Sequence, residues 1–324
     1  MYKAFYNLKR NPFEITPDPS FLFPTKRHNE ALAALYYGVR RHKGFVVMTG
    51  EVGTGKTLLV RCLLQLLKGS NVAYAYVFNS RLSPLEFLQY IAGDFGLPAS
   101  GKGKSDLLLD LSNFLIARHQ KKLTTVLVVD EAHHLTAEVL EEVRLLTNLE
   151  TAQEKLLQIL LVGQPELDEK LDSVELRQLK QRVALRSQLE PLDADETKGY
   201  VQRRLQLASA DSRVAEIFPT EAIARVYRHS RGIPRLINTI CENTLISAYA
   251  RHMRTATPAI IDEVAADFRL DVMHPSRNER PTNGDNLNVQ QAVKTLLQLH
   301  EALQNLRSKE NESPVEVAPG AIKQ

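Results

Sequence analysis

The chain has 324 residues, of which 44% are hydrophobic and 24% charged, and its formal net charge is only +3. This composition is typical of a globular protein, the length favours two domains or one large domain with an appendage, and the net charge provides no overall field that would attract nucleic acid. No apolar run approaches the ~18–20 residues that span a bilayer, the N-terminus lacks the features of a signal peptide, and Cys62 and Cys241 fit neither a metal spacing nor a disulfide framework, so the sequence predicts a cytoplasmic protein.

Residues 1–43 are predicted to form an N-terminal arm followed by a helix. The segment Asn11–Pro24 contains four prolines, which exclude a helix interior or a central strand. We expect it to run as an extended arm whose aromatic residues, Phe13, Phe21 and Phe23, pack onto a larger body. A helix is predicted at about His28–Arg41, where apolar residues recur at helical spacing.

Residues 44–191 alternate between short apolar runs and helical patterns. The runs predict five strands, at Phe45–Thr49, Val72–Phe78, Thr124–Val129, Leu156–Gly163 and near Val183–Leu189. Strands that are apolar throughout are typical of a parallel sheet covered on both faces, so the region predicts an α/β fold with a doubly wound parallel sheet. Between these strands, Ser105 is expected to cap a helix that ends near His119, and another helix is expected at about Thr136–Leu149.

Beyond residue 191 the pattern is helical. Residues 192–270 predict a small all-helical lid domain, residues 271–286 a linker by composition, and residues 310–324 a disordered tail. Residues 287–309 carry apolar positions at alternating spacings of three and four, which predict an amphipathic heptad helix. This helix could form a coiled coil or lie back on the lid, and the sequence does not decide between these alternatives.

The eight residues GEVGTGKT follow the first predicted strand and open a helix. They match G-x-x-x-x-G-K-[ST], the phosphate-binding Walker A loop, in the strand–loop–helix context that it requires. Lys56 is expected to bind the β- and γ-phosphates of ATP, and the Thr57 hydroxyl to bind Mg²⁺. The predicted nucleotide-binding residues are Gly50, Glu51, Val52, Gly53, Thr54, Gly55, Lys56, Thr57, Leu58 and Asp130.

A second motif, VLVVDE, ends the third predicted strand in two acids. Asp130 is expected to hold Mg²⁺ beside the loop, as a Walker B aspartate does. Glu131 is expected to polarise the water that attacks the γ-phosphate. The pair therefore predicts ATP hydrolysis rather than nucleotide sensing alone.

Other polar residues are candidates for completing the site. Gln164 follows the fourth strand and could orient water, or be an ordinary loop residue. Arg177 and Arg182 flank a helix before the last strand, from which an arginine could reach a neighbouring subunit's ATP. Arg235 opens a lid helix, where the helix dipole disfavours a cation, so a role at the γ-phosphate is favoured. The tandem His133 and His134 have too few accompanying ligands to predict a zinc site.

These motifs together resemble the AAA+ ATPases. More narrowly, the segments NPFEITPDPSFLFP, VLVVDEAHHL, LLQILLVGQPEL and RGIPRLIN are similar to the ExeA/GspA-type ATPases, which accompany bacterial secretion and envelope export systems. The resemblance covers about Tyr2–Leu270. It implies a sensor at Gln164, an arginine finger at Arg182 rather than Arg177, a second sensor at Arg235, and ATP-dependent assembly into rings or filaments.

Three functions fit this resemblance. The first is a cytoplasmic ATPase that drives or regulates the assembly of an export machine, with protein partners that could hold it at the inner membrane. Full-length ExeA-like proteins continue into a transmembrane helix and a cell-wall-binding domain, neither of which this sequence predicts. The second is a DNA-binding switch of the TniB/TnsC kind that regulates transposition; the neutral lid disfavours it, although Arg225, Arg228 and Arg231 could form a phosphate-binding patch. The third is a scaffold whose slow ATPase times assembly.

Overall fold

The computed structural model describes residues 2–68, 71–78, 81–209 and 217–270. Five strands form one sheet in the order β2-β3-β4-β1-β5, and every neighbouring pair is parallel. The strands are β1 Phe45–Gly50, β2 Ala73–Val77, β3 Thr125–Val129, β4 Gln158–Gly163 and β5 Leu185–Leu189. The sequence therefore predicted the number, order along the chain and direction of the strands correctly.

Helices cover both faces of this sheet. They are α2 Lys26–Arg40, α3 Lys56–Leu67, α4 Pro84–Asp94, α5 Lys104–Gln120, α6 Ala137–Leu146, α7 Glu166–Leu171 and α8 Arg177–Lys180. The central strands β1, β3 and β4 are buried along their whole length, which is why their sequences are apolar without alternation. Alternate residues of these strands face two separate hydrophobic clusters, one packed by α4–α8 and the other by α2 and α3.

Two helix boundaries differ from the sequence prediction. Ser105 lies inside α5, which begins at Lys104 with Gly103 as its N-cap. Glycine has no side chain to accept a helix N–H, but Asp106 in the first turn accepts the Gly103 N–H at 3.3 Å and so fixes the start of the helix. The helix expected to run to Leu149 ends at Leu146, although Thr136 caps it as its residue type predicts.

A third hydrophobic cluster joins the C-terminal helices to the N-terminal arm. The helices are α9 Ala194–Ala208, α10 Thr220–Ser230, α11 Pro234–Ala250 and α12 Pro258–Asp267. Phe13 is fully buried and packs edge-on against Phe218, with ring centroids 5.8 Å apart. The arm also contains the short helix α1 Tyr2–Phe5 and a 3₁₀ turn at Pro19–Phe21, which the sequence did not predict.

The arm is tied to the lid by a buried arginine as well as by aromatic packing. Arg204 of α9 donates to the Pro12 carbonyl at 2.7 Å, and its guanidinium lies over the rings of Phe21 and Tyr200.

The domain boundaries at residues 43, 191 and 270 stay a prediction. The linker, heptad helix and tail fall in residues 271–324, outside the described residues. Within the described ranges, no helix is long and apolar enough to cross a membrane.

Candidate functional site

The loop Gly50–Thr57, called the P-loop from here on, joins the end of β1 to the start of α3. Its lysine is folded onto the loop: Lys56 Nζ donates to the carbonyls of Gly50 at 2.8 Å and Glu51 at 3.0 Å. Burial lowers the pKa of Lys56, and the negative charges of Glu131 and Asp130 act in the opposite direction. The ammonium is thus held beside the backbone that the sequence assigns to phosphate binding.

Close packing explains why the P-loop carries glycine where it does. Gly53 has φ +82°, and a Cβ there would lie 2.6 Å from Cβ of Arg235 in the lid. A Cβ on Gly50 would lie 2.8 Å from the Leu189 carbonyl oxygen of β5. These two positions let the loop touch the lid on one side and the sheet on the other.

The two sequence motifs meet directly. Thr57 Oγ1 donates to Asp130 Oδ2 at 2.9 Å, and the Tyr76 hydroxyl donates to the same oxygen at 2.8 Å. Burial and the adjacent Asp130 carboxylate raise the pKa of Tyr76, so it stays a donor. Asp130 is only 5% exposed, and these bonds compensate for its lost hydration. Tyr76, on β2, was not among the predicted site residues.

Glu131 begins the 3₁₀ turn Ala132–His134 in a left-handed conformation, with φ 51°. Its N–H donates to Asp130 Oδ1 at 3.0 Å, which fixes the peptide between the two acids. Its carboxylate lies 3.5 Å from His133 Nδ1 and is about half exposed. Glu131 is therefore held at its backbone while its side chain faces solvent and His133.

Gln164 and Glu131 are linked through His133. The Gln164 N–H donates to His133 Nδ1 at 3.4 Å, and its side-chain amide lies 2.9 Å from His133 Nε2. The atom at 2.9 Å is the amide nitrogen of Gln164, so Gln164 directs a donor at each ring nitrogen, and a neutral ring accepts from one of them as its tautomer decides. Burial is the main cause that lowers the pKa of His133, followed by the neighbouring His134, and both favour this neutral form.

The same region holds a possible cluster of metal donors. Glu131, His133 and His134 each place one donor atom within 4.8 Å of the others. Because both ring nitrogens of His133 already contact Gln164, we do not assign a transition metal to this cluster. The prediction against a zinc site therefore stands as an expectation.

The arginines are placed differently from one another. Arg235 N–H donates to the Gly53 carbonyl at 3.2 Å, so the first turn of α11 lies against the P-loop while the side chain is exposed. Arg177 starts α8 and Arg182 follows it. In the part of the chain that the structure describes, no hydrogen bond or ion pair joins Arg177 or Arg182 to the P-loop. The roles of Arg182, Arg235 and Gln164 stay predictions.

His28 is a site residue that sequence reasoning missed. Its Nδ1 lies 2.7 Å from Thr25 Oγ1, and its Nε2 lies 3.2 Å from the Thr54 carbonyl of the P-loop. In the neutral ring, Nε2–H donates to that carbonyl and Nδ1 accepts the Thr25 hydroxyl. Nothing in the sequence around His28 marks this contact, because it joins residues 26 positions apart.

The donor set fits a magnesium nucleotide. Thr57 and Asp130 present hydroxyl and carboxylate oxygens in direct contact, which are the ligand types Mg²⁺ prefers. The backbone at Gly53 and Gly50 is free of side chains, as close approach of phosphates requires. The start of α3 adds the positive end of a helix.

Comparison with known proteins agrees with this geometry. A family model described as an AAA domain matches residues 39–171. General secretion pathway protein A of Aeromonas hydrophila is 46% identical over 252 residues, which are 78% of this chain. The chain belongs to the AAA+ proteins of the GspA type. It spans only 45% of the length of that relative, whose remaining part has no counterpart in the alignment.

Solved structures support the fold of this GspA-type chain. The Aeropyrum pernix ORC2 protein, in its ADPNP-ADP complexes, aligns with a TM-score of 0.61 and 18% identity, over 82% of this chain and 75% of its own. Drosophila ORC bound to DNA aligns with a TM-score of 0.62 and 20% identity, over 83% of this chain and 66% of its own. At this level of identity, the likeness shows only that the fold is shared.

The buried histidines make stability depend on pH. Burial lowers the pKa of His28 from its ordinary 6.5, and the Thr54 carbonyl only partly opposes this. Below about pH 6.5 the unfolded chain therefore binds protons that the folded chain does not, so the free energy of unfolding falls as the pH decreases. We expect wild type to lose stability between pH 7.5 and 5.5, and His28→Gln to show a shallower loss, by at most ~1.4 kcal/mol per pH unit.

Urea denaturation at a series of pH values measures this slope. The matched control is His252→Asn, which removes an exposed histidine far along the chain. A slope that His28→Gln leaves unchanged, or that His252→Asn reduces as much, would contradict the role given to burial of His28.

Proposed function

We propose that this GspA-type chain binds ATP with magnesium, hydrolyses it, and uses turnover to drive or regulate the assembly of a bacterial envelope export machine. The observation that carries the proposal is the contact between Thr57 and Asp130 at 2.9 Å, with Glu131 fixed beside it. It joins a phosphate-binding loop to a hydrolytic acid within one site. The name of the Aeromonas relative supports the secretion context.

The proposed binding step uses the P-loop and its lysine. The loop amides and the positive end of α3 attract phosphates, and Lys56 exchanges the carbonyls of Gly50 and Glu51 for phosphate oxygens. Because a phosphate is a stronger partner for an ammonium than a neutral carbonyl, this exchange favours binding. Thr57 and Asp130 would hold the magnesium ion, which neutralises phosphate charge when bound.

The proposed hydrolytic step uses Glu131. Its half-exposed carboxylate can orient the attacking water and accept its proton. His133 limits the directions in which that carboxylate can lie and connects it to Gln164, which can hold the same water or the γ-phosphate. Lid residue Arg235 and Arg182 of a second copy would add positive charge as the transition state forms.

Regulation of transposition on DNA is not favoured by the described surface. Arg225, one of three arginines considered for a phosphate patch, lies 3.7 Å from Asp262, and His229 between the other two lies 2.8 Å from the same carboxylate. Part of the positive charge of that helix is thus already neutralised. We keep the export function as the proposal.

The first test separates binding from hydrolysis. Glu131→Gln keeps the size and hydrogen-bonding shape of the side chain but removes the proton acceptor. We expect ATP binding within a few-fold of wild type and a turnover rate lowered by roughly 100-fold or more. Steady-state phosphate release and equilibrium nucleotide binding measure the two quantities.

The control for that variant is Glu138→Gln, an exposed acid in the first turn of α6 that contacts none of the site residues in the described chain. It should behave as wild type. Turnover by Glu131→Gln at the wild-type rate would exclude Glu131 as the base. A Glu131→Gln variant that still supports export in cells would favour a nucleotide-controlled scaffold instead.

The second test asks whether one site uses residues of two copies. Arg182→Ala and Glu131→Gln should each hydrolyse ATP slowly when alone. Mixed, the Glu131→Gln copy can supply Arg182 to the intact Walker site of its neighbour, so we expect phosphate release to recover above the sum of the separate rates. A mixture that gains nothing, or an Arg182→Ala variant that is fully active, would contradict the shared site, and Arg177→Ala serves as the matched control.

A further inference from the structure

The six-residue helix α7, Glu166–Leu171, contacts the ends of several strands at the edge where the site lies. Leu167 and Leu171 are fully buried in the larger sheet cluster and fix the helix in place. Asp168 accepts the Thr49 hydroxyl at 2.7 Å, at the end of β1, and lies 3.2 Å from Arg186 of β5. The helix follows Gln164 by one residue, so its position and that of Gln164 are linked.

Lys170 connects this helix to the turn that follows Asp130 and Glu131. Its Nζ donates to the His133 carbonyl at 2.6 Å and to the Leu135 carbonyl at 2.7 Å. No carboxylate lies within ion-pair distance of Lys170 among the residues that the structure describes. An ammonium that gives up water for two neutral carbonyls loses hydration without gaining a counter-ion, and burial lowers the pKa of Lys170 accordingly.

The turn that Lys170 holds is short, and its own backbone hydrogen bonds are few. Within it, His134 N–H donates to the Glu131 carbonyl at 3.0 Å and Leu135 N–H to the Ala132 carbonyl at 3.1 Å. Glu131 adopts a left-handed conformation, which is unfavourable for a residue with a side chain. Surrounding contacts have to maintain that conformation, and Lys170 provides two of them.

We propose that Lys170 is a positioning residue for hydrolysis: by binding the carbonyls of His133 and Leu135, it fixes the turn that aims Glu131 and holds His133 against Gln164. The inference rests on the proposed hydrolytic function and adds a residue to it. Lys170 touches neither the P-loop nor Asp130 in the described structure, so it acts on turnover and not on nucleotide binding.

The direct test is Lys170→Met, which keeps the length and apolar stem of the side chain and removes the ammonium. Loss of orientation at the base should lower kcat by roughly ten- to a hundredfold while the Kd for ATP stays within about twofold of wild type. Lys170→Arg retains the charge and donors and should recover part of the lost kcat. A role limited to folding would instead lower the melting temperature and change the Kd together with kcat.

Lys155→Met is the matched control. Lys155 also binds a main-chain carbonyl, that of Thr147 at 3.1 Å, but it lies before β4, at the opposite edge of the sheet from Gln164. The same loss of a lysine there should leave kcat unchanged. An equal fall in kcat in both variants would mean that Lys170 acts through general stability and would overturn the proposal.

A double-mutant cycle with His133→Ala tests the route. If Lys170 acts through the turn, the Lys170→Met/His133→Ala double variant should be no slower than the slower single variant, because one change has already released the turn. Rate losses that multiply would overturn this route. Absence of turnover in assembled wild type would show the proposed function itself to be wrong, whereas active wild type with an equally active Lys170→Met would reject only the role of Lys170.

Discussion

The rest of the structure depends on the close packing around the P-loop. A side chain on Gly53 would collide with Arg235 of the lid, and one on Gly50 would collide with the backbone of β5. From a third direction, His28 of α2 binds the Thr54 carbonyl. The sheet, the lid and the helix that follows the N-terminal arm therefore meet at one backbone loop. The arm is also packed against the lid through Phe13 and Arg204. The lid is therefore connected to the P-loop in two ways: directly, and through the arm and the helix that carries His28.

Several charged side chains at this edge of the sheet are buried or partly buried. Lys56 and Lys170 both bind main-chain carbonyls, and burial lowers the pKa of each. The two ammonium groups differ in their proposed partners. Lys56 lies on the loop that we propose binds phosphate, whereas Lys170 binds protein backbone. Asp130 is nearly inaccessible, and two hydroxyl groups and a peptide N–H donate to its two oxygens. The Glu131 side chain is about half exposed, as its proposed role in orienting water requires.

The sequence was informative wherever function and local structure use the same residues. Apolar runs predicted all five strands, and Thr136 caps the helix that was expected to begin there. Gln164 follows β4 and lies beside the Asp130 strand because β3 and β4 are neighbours in the sheet. The contacts of His28, Tyr76 and Lys170 could not be predicted, since each joins segments that only the folded sheet brings together. The N-cap of α5 is Gly103 and not Ser105 for a local reason. The Asp106 side chain accepts the Gly103 N–H, which favours a helix start before the serine.

We propose that the loop Gly50–Thr57 is a site for a magnesium nucleotide. Isothermal titration of the whole chain with ATP, with and without Mg²⁺, tests it most directly when wild type is compared with Lys56→Ala. We expect wild type to bind one ATP per chain saturably and more tightly with Mg²⁺, and Lys56→Ala to lose this binding while its melting temperature stays within a few degrees of wild type. Equal binding by both proteins, or no binding by folded wild type, would contradict it.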